Sequence, residues 1–146
     1  MDVCSLPYNA DLGLSPVEFD GRPGIRLTPG PRHLNHVNTI HASVLYAVGE
    51  AASGQAIVQE FPELATKAVA VLRAAKTKYR SPAKPDGDLV GIGTIDAATV
   101  ASAKDELRQR GRTLVDISVA VQQGDEQVFR GTYTFFASRQ ASEHSQ

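Results

Sequence analysis

Residues 41–57 read HASVLYAVGEAASGQAI, an unbroken run of small and aliphatic side chains. Val44, Leu45, Val48, Ala51 and Ala52 recur at the spacing of one helix face. The opposite face carries Ser43, Tyr46, Ala47, Glu50, Ser53, Gly54 and Ile57, without the charge that a surface helix displays. This pattern predicts a helix buried all round, with Ser43 as its N-terminal cap. Residues 67–79 then predict a long strand, apolar on both faces through AVAVL and basic on one face beyond it, where Lys76, Lys78 and Arg80 alternate. Residues 88–96 predict another, with Gly91 and Gly93 on the same side. Two missing side chains there allow a second backbone to approach closely.

AATVASAKDELRQRG predicts a surface helix with Val100, Ala103 and Leu107 as its apolar stripe and Gly111 as its stop. Thr113, Val115, Ile117, Val119 and Val121 alternate with Asp116, Ser118 and Gln122, and after the turn QGDE the residues Phe129, Gly131, Tyr133 and Phe135 alternate with polar ones. That is an antiparallel hairpin. Residues 1–31 are rich in proline and glycine and predict a wrapping arm, with one short helix near 9–14 and one short strand near 24–28. The sum is an α+β arrangement, one long helix against a curved antiparallel sheet of about five strands, in a single domain over residues 1–138. Residues 139–146 are polar and expected to be a disordered tail.

Composition narrows the chemistry. At 146 residues the chain has room for one domain. Fifteen basic and sixteen acidic residues leave a net charge of −1, so the overall field favours neither nucleic acid nor an anionic membrane as partner. One cysteine, Cys4, excludes an internal disulfide. With no signal-peptide pattern and no membrane-length apolar run, the chain is expected to be cytoplasmic. His33, His36 and His41 stand close in sequence, but without thiolates or a paired helical spacing no metal is expected. Glu50 is the side chain that asks for an explanation. It is charged, sits in the buried helix, and has Tyr46, Ala47, Ser53 and Gly54 at the positions where a helical ion-pair partner would stand. A chain that keeps such a carboxylate uses it or satisfies it from another segment or subunit.

Two blocks of residues carry a resemblance. Asn35, Asn38, Thr39, Ile40, His41, Ala42 and Ser43 are followed by Glu50 nine residues after the histidine, and Tyr79, Pro82, Ala83, Gly87 and Asp88 precede a strand. In that order they resemble the signatures of the hot-dog-fold acyl-CoA thioesterases, most closely the PaaI-like branch of small bacterial members. Asn38, Ala42 and Ser43 stand where that family has glycines. The resemblance implies a long helix wrapped by the sheet, a homodimer or a dimer of dimers, and sites at the interface between subunits. It implies hydrolysis of an acyl-CoA thioester with no cofactor beyond the coenzyme A of the substrate. Glu50 would be general base or nucleophile, the Ala42 N–H the oxyanion donor, Asn35 the group holding water or the substrate carbonyl, and His41 a substrate contact or loop anchor. Lys78, Arg80 and Lys84 would receive the coenzyme A phosphates, with Lys76 deeper in the strand. Asn38 would lie against the substrate, and Tyr46, Ile57 and Phe61 would line or close the acyl tunnel. Two other readings remain open: a non-catalytic acyl-CoA binding module, and a hydratase or dehydratase that pairs His33 or His36 with Glu50.

Overall fold

The computed structural model describes residues 1–64 and 68–140. A 3-10 turn at Val3–Ser5 leads into α1 (Pro7–Leu12), then β1 (Leu14–Phe19) and β2 (Arg22–Leu27). A second 3-10 turn at Pro31–His33 delivers the chain to α2 (Ala42–Glu60), followed by β3 (Ala68–Tyr79), β4 (Leu89–Thr94), α3 (Ala97–Arg110), β5 (Arg112–Gln123) and β6 (Glu126–Arg139). The strands form one antiparallel sheet in the order β1-β2-β4-β5-β6-β3.

The sheet thus has six strands where five are expected, because the N-terminal arm folds into a hairpin. Pro16 and Pro23 mark the segment as loop by composition, yet β1 lies at the sheet edge, where a missing N–H costs little. Asp20 and Gly21 form the turn with φ of +49° and +73°, the left-handed pair that joins two-residue hairpins. The expected short helix lies slightly earlier than 9–14, and Gly13 ends it with φ of +88°. At the other end β6 continues to Arg139, so Ser138 and Arg139 belong to the sheet. Of the expected tail, 141–146 lie outside the described residues, as does Lys67 at the start of the strand expected over 67–79.

α2 is longer than predicted, and its cap is His41, whose Nδ1 accepts from the Ser43 N–H. Val44, Leu45, Ala47, Val48, Ala51, Ala52, Ser53, Ala56 and Ile57 are all buried, while Tyr46 and Glu50 lie along a half-buried strip. The sheet comes nearest at β4. A Cβ on Gly93 would stand 2.5 Å from the Ala52 carbonyl oxygen, and one on Gly91 would stand 2.9 Å from Val48 Cγ1. The two glycines of β4 let the helix backbone lie directly on the strand. On the β6 side Gly49 admits Tyr133, whose hydroxyl donates to the Tyr46 carbonyl at 2.9 Å.

β3 pairs only with β6, and its register shifts between Leu72 and Ala74. This bulge exchanges the faces of the strand. Before it, Leu72 lies opposite the inward-facing Phe135; after it, Ala75 and Tyr79 lie opposite the inward-facing Tyr133 and Phe129. Lys76 and Lys78 therefore point away from α2, to the outer face of the sheet.

Candidate active site

Two loops meet at the N-terminal end of α2. The first, residues 34–41, is closed by a bridge between Leu34 and Ile40 and by Asn35. The Asn35 Oδ1 accepts from the Val37 and Thr39 N–H groups at 3.0 Å each, and its Nδ2 donates to Thr39 Oγ1 at 2.8 Å. Its amide is thus committed to its own loop and keeps at most one Nδ2 hydrogen for a ligand. Asn38 has φ of +61°, so the residue standing in the place of a family glycine occupies the left-handed conformation that asparagine tolerates best after glycine. The second loop, residues 80–88, is joined to the first by the Ile40 N–H donating to the Ala83 carbonyl at 2.9 Å. Gln123, at the end of β5, holds this loop from the other side. Its Oε1 accepts from the Lys84 N–H at 2.6 Å, and its Nε2 donates to the carbonyls of Lys84 and Gly87 at 2.8 and 2.7 Å. The two blocks singled out in the sequence are therefore one structural unit. Gln123 was not legible beforehand, because nothing in the turn sequence QGDE says that its glutamine reaches a loop 36–39 positions away.

The first turn of α2 offers one free donor. The Ser43 N–H is taken by His41 Nδ1 at 3.1 Å, and the Val44 and Leu45 N–H groups are taken by the His41 carbonyl at 3.0 and 3.3 Å. Among the described residues the Ala42 N–H makes no hydrogen bond, and it lies at the positive end of the helix dipole. His41 engages the helix start through Nδ1, which also lies 2.5 Å from Ser43 Oγ.

Glu50 lies two turns further along. It is half-buried, and its carboxylate has no hydrogen bond or ion pair among the described residues. Burial holds its carboxyl above the ordinary carboxylate value. Tyr46, one turn earlier on the same strip, stacks at a tilt on Tyr133 with ring centroids 5.3 Å apart. Its phenol is raised by burial first, then by the charge of Glu50 and by Tyr79. Burial is also the main cause that raises Tyr133. Tyr79, the last residue of β3, meets Phe129 edge to face at 5.2 Å and remains exposed. Glu50 thus acts on the phenols of Tyr46 and Tyr133, and Tyr79 of the edge strand β3 acts on the same two. Tyr79 and Tyr133 carry a signal only once the register of β3 on β6 is known.

Several expected residues lie elsewhere. Lys78 is on the outer sheet face, across the sheet from Glu50, whereas Arg80 and Lys84 belong to the loop at the helix end. Ile57 and Phe61 do not stand beside Glu50; they are core residues near the other end of α2, where Phe61 carries Lys104 over its ring at 5.7 Å. His33 is buried with both ring nitrogens engaged, Nδ1 by the Gly30 N–H and Nε2 with the Leu12 carbonyl, each at 2.8 Å. It cannot serve as the histidine of a dehydratase pair, and His36 is exposed on its loop. Among the described residues no three of His, Cys, Asp and Glu converge as metal ligands, and no helix is long and apolar enough to cross a membrane. Because His33 joins α1 to the loop before α2, His33→Leu should cost about 2 kcal/mol or more by stranding the Gly30 N–H and the Leu12 carbonyl. Urea unfolding monitored by circular dichroism measures this directly.

A long helix laid against an antiparallel sheet in the order β1-β2-β4-β5-β6-β3 defines a hot-dog fold. The chain belongs to the family described as a domain of unknown function, DUF4442, whose model matches residues 6–136. Its fold is shared with a Pseudomonas aeruginosa protein described as a probable thioesterase, at a TM-score of 0.77 and 18% identity, covering 94% of this chain and 91% of that one. A Bacillus halodurans protein whose structure holds CoA superposes at 0.72 with 22% identity, over 94% and 82% of the two chains. A mutant of the phenylacetic acid degradation protein PaaI from Thermus thermophilus superposes at 0.65 with 18% identity, over 90% and 98%. No curated protein matches the chain by sequence.

Proposed function

We propose that the protein hydrolyses acyl-CoA thioesters. The observation that carries this reading is the pairing, on one helix, of a first-turn amide at Ala42 with a half-buried carboxylate at Glu50, neither with a partner among the described residues. A thioester carbonyl oxygen set at the helix N-terminus would be stabilised by the Ala42 N–H and the helix dipole as negative charge develops on it. Glu50 then acts in one of two ways. As general base it removes a proton from water, the water oxygen bonds to the carbonyl carbon, and the carbon–sulfur bond breaks with the proton passing to the departing thiolate. As nucleophile its carboxylate oxygen bonds to the carbonyl carbon, the carbon–sulfur bond breaks to release the thiolate, and water opens the resulting anhydride in a second step. Arg80 and Lys84 supply charge for the coenzyme A phosphates at the same end of the helix. The structural neighbours described as a probable thioesterase and found with CoA support the reading.

The test is free-thiol release from short, medium, long and aryl acyl-CoAs by wild type and Glu50→Ala side by side. Release that vanishes with Glu50 supports hydrolysis and names the acyl class. Equal background in both, together with thermal stabilisation by the same ligands, would leave a second reading. The exposed Ser43 hydroxyl held against His41 at the helix mouth favours that alternative, a module that binds acyl-CoA without cleaving it.

A second copy completes the site in this proposal. The long β3 has β6 on one side only and leaves Val69, Val71 and Tyr79 exposed, an edge suited to pairing with another β3. Analytical ultracentrifugation at micromolar protein should return twice the mass of one chain; a monomer that still turns over would rule out a shared site.

A further inference from the structure

The outer face of the sheet carries a trough of about 960 Å³ that the proposed reaction does not use. Its floor consists of two cross-strand rows running from β3 through β6 and β5 to β4. One row is Lys78, Arg130, Ala120 and Ile92; the other is Lys76, Thr132, Ser118 and Thr94. Phe19, Asp20 and Arg22, at the turn of the β1–β2 hairpin, form the far wall. Small side chains in the middle of both rows keep the floor open, with cations gathered at one end and Arg22 at the other.

The register makes this costly. Lys78 and Arg130 are direct cross-strand partners on one face, and Lys76 lies two residues along the same strand. Directly opposed like charges destabilise a sheet, and their side chains begin only about 5 Å apart. None of Lys76, Lys78, Arg130 and Arg22 forms an ion pair among the described residues. Asp20 is the single carboxylate lining the trough. The hydroxyls of Ser118 and Thr132 make no hydrogen bond among the described residues and lie beside the cations, offering donors to an acceptor-rich ligand. Three gathered cations call for an anion of several charges, and a guanidinium beside hydroxyls suits tetrahedral phosphate oxygens better than a single carboxylate. The trough spans three strand spacings, about 14 Å, which suits a small molecule. A nucleic-acid strand is disfavoured because, among the described residues, Phe19 of the wall is the only aromatic lining residue available for base stacking.

We propose that this outer trough is a binding site for a small polyphosphorylated anion, separated by the sheet from Glu50. The site does not depend on the hydrolytic reading.

Inorganic tripolyphosphate and ATP, titrated calorimetrically at low ionic strength, test it. Both should bind the wild type and Glu50→Ala equally. Lys78→Gln and Arg130→Gln should each weaken binding tenfold or more, and the double variant should show no heat. Without any anion Arg130→Gln should melt about 1 °C higher than wild type, because it relieves the opposed pair. A purely structural role for Arg130 would move the melting temperature down. ATP binding without tripolyphosphate binding, the reverse, or no heat from either probe overturns the proposal, as does affinity untouched by the substitutions. So does competition by CoA for the same site, which would make the trough part of substrate binding, or binding of a single-stranded oligonucleotide alone.

Discussion

Glu50→Gln is expected to lower thioester hydrolysis by about 10² to 10⁴ while raising the melting temperature at neutral pH. Both effects come from one property of the site. The carboxylate is half-buried, has no partner among the described residues and lies near Tyr46 and Tyr133, so burial raises its pKa. An acid whose pKa is raised on folding binds its proton more tightly in the folded state. The resulting contribution to stability is full below the ordinary carboxylate value and is lost as pH rises through the raised one. At neutral pH the wild type therefore carries an ionised group the fold disfavours, and glutamine removes it; at low pH the two proteins should melt alike. Activity runs the other way. A general base or nucleophile must be ionised, so hydrolysis should rise with pH through the same raised value, and its acid limb should lie above that of an exposed glutamate. Melting curves and kcat/KM across pH measure the two together. A variant that melts lower than wild type at neutral pH would show that Glu50 is a structural partner and would remove it from the reaction.

Gly93→Ala is expected to be the most damaging single change in the sheet. Its Cβ would stand 2.5 Å from the Ala52 carbonyl oxygen and 3.1 Å from Ala56 Cβ. The obstruction is helix backbone, which cannot rotate away as a side chain can, so either α2 lifts from β4 or the strand bows. Overpacking of this kind costs about 2 to 3 kcal/mol, which for a chain of this size lowers the melting temperature by roughly 5 to 10 °C. Gly49→Ala meets Tyr133 Oη at 2.6 Å and Phe129 Cε1 at 2.8 Å, ring atoms that have some freedom to shift, and should cost less. Thermal unfolding of both variants would rank them. Equal melting temperatures would mean that helix and strand have more slack than the contacts indicate.

The close approach at Gly91 and Gly93 was legible because two glycines two residues apart in a strand have few other uses. The buried helix and the lone glutamate were legible for a similar reason: periodicity exposes a charge with no neighbour to pair with. The N-terminal hairpin was not read, although Asp20-Gly21 is a strong turn signal, because Pro16 and Pro23 suggested a loop and only the edge position of β1 makes Pro16 harmless. The faces of β3 were beyond periodicity altogether. Lys76 and Lys78 share their parity with Leu72, which faces inward; the bulge between Leu72 and Ala74 reverses that parity and turns the lysines outward. One unpaired residue, set by pairing with a strand more than fifty positions later, decides which side of the protein the basic row serves. The cap at His41 escaped for a smaller reason, since histidine is a rare cap and Ser43 the more usual one.

The place of β6 in the sheet also bears on how the protein is made. Among the described residues it is the last strand in chain order, yet it is the sole neighbour of β3 and one of the two neighbours of β5. A ribosome that has just released Tyr79 must continue to Arg139 before β3 can complete its ladder. At about 5 to 20 residues per second, the wait lasts several seconds. Throughout it the nascent chain holds out a strand with both edges bare, Val69 and Val71 among its residues, while α2 lacks the Tyr133 and Phe129 that close over it. Nascent chains stalled before β6 are therefore the species that chaperones should meet.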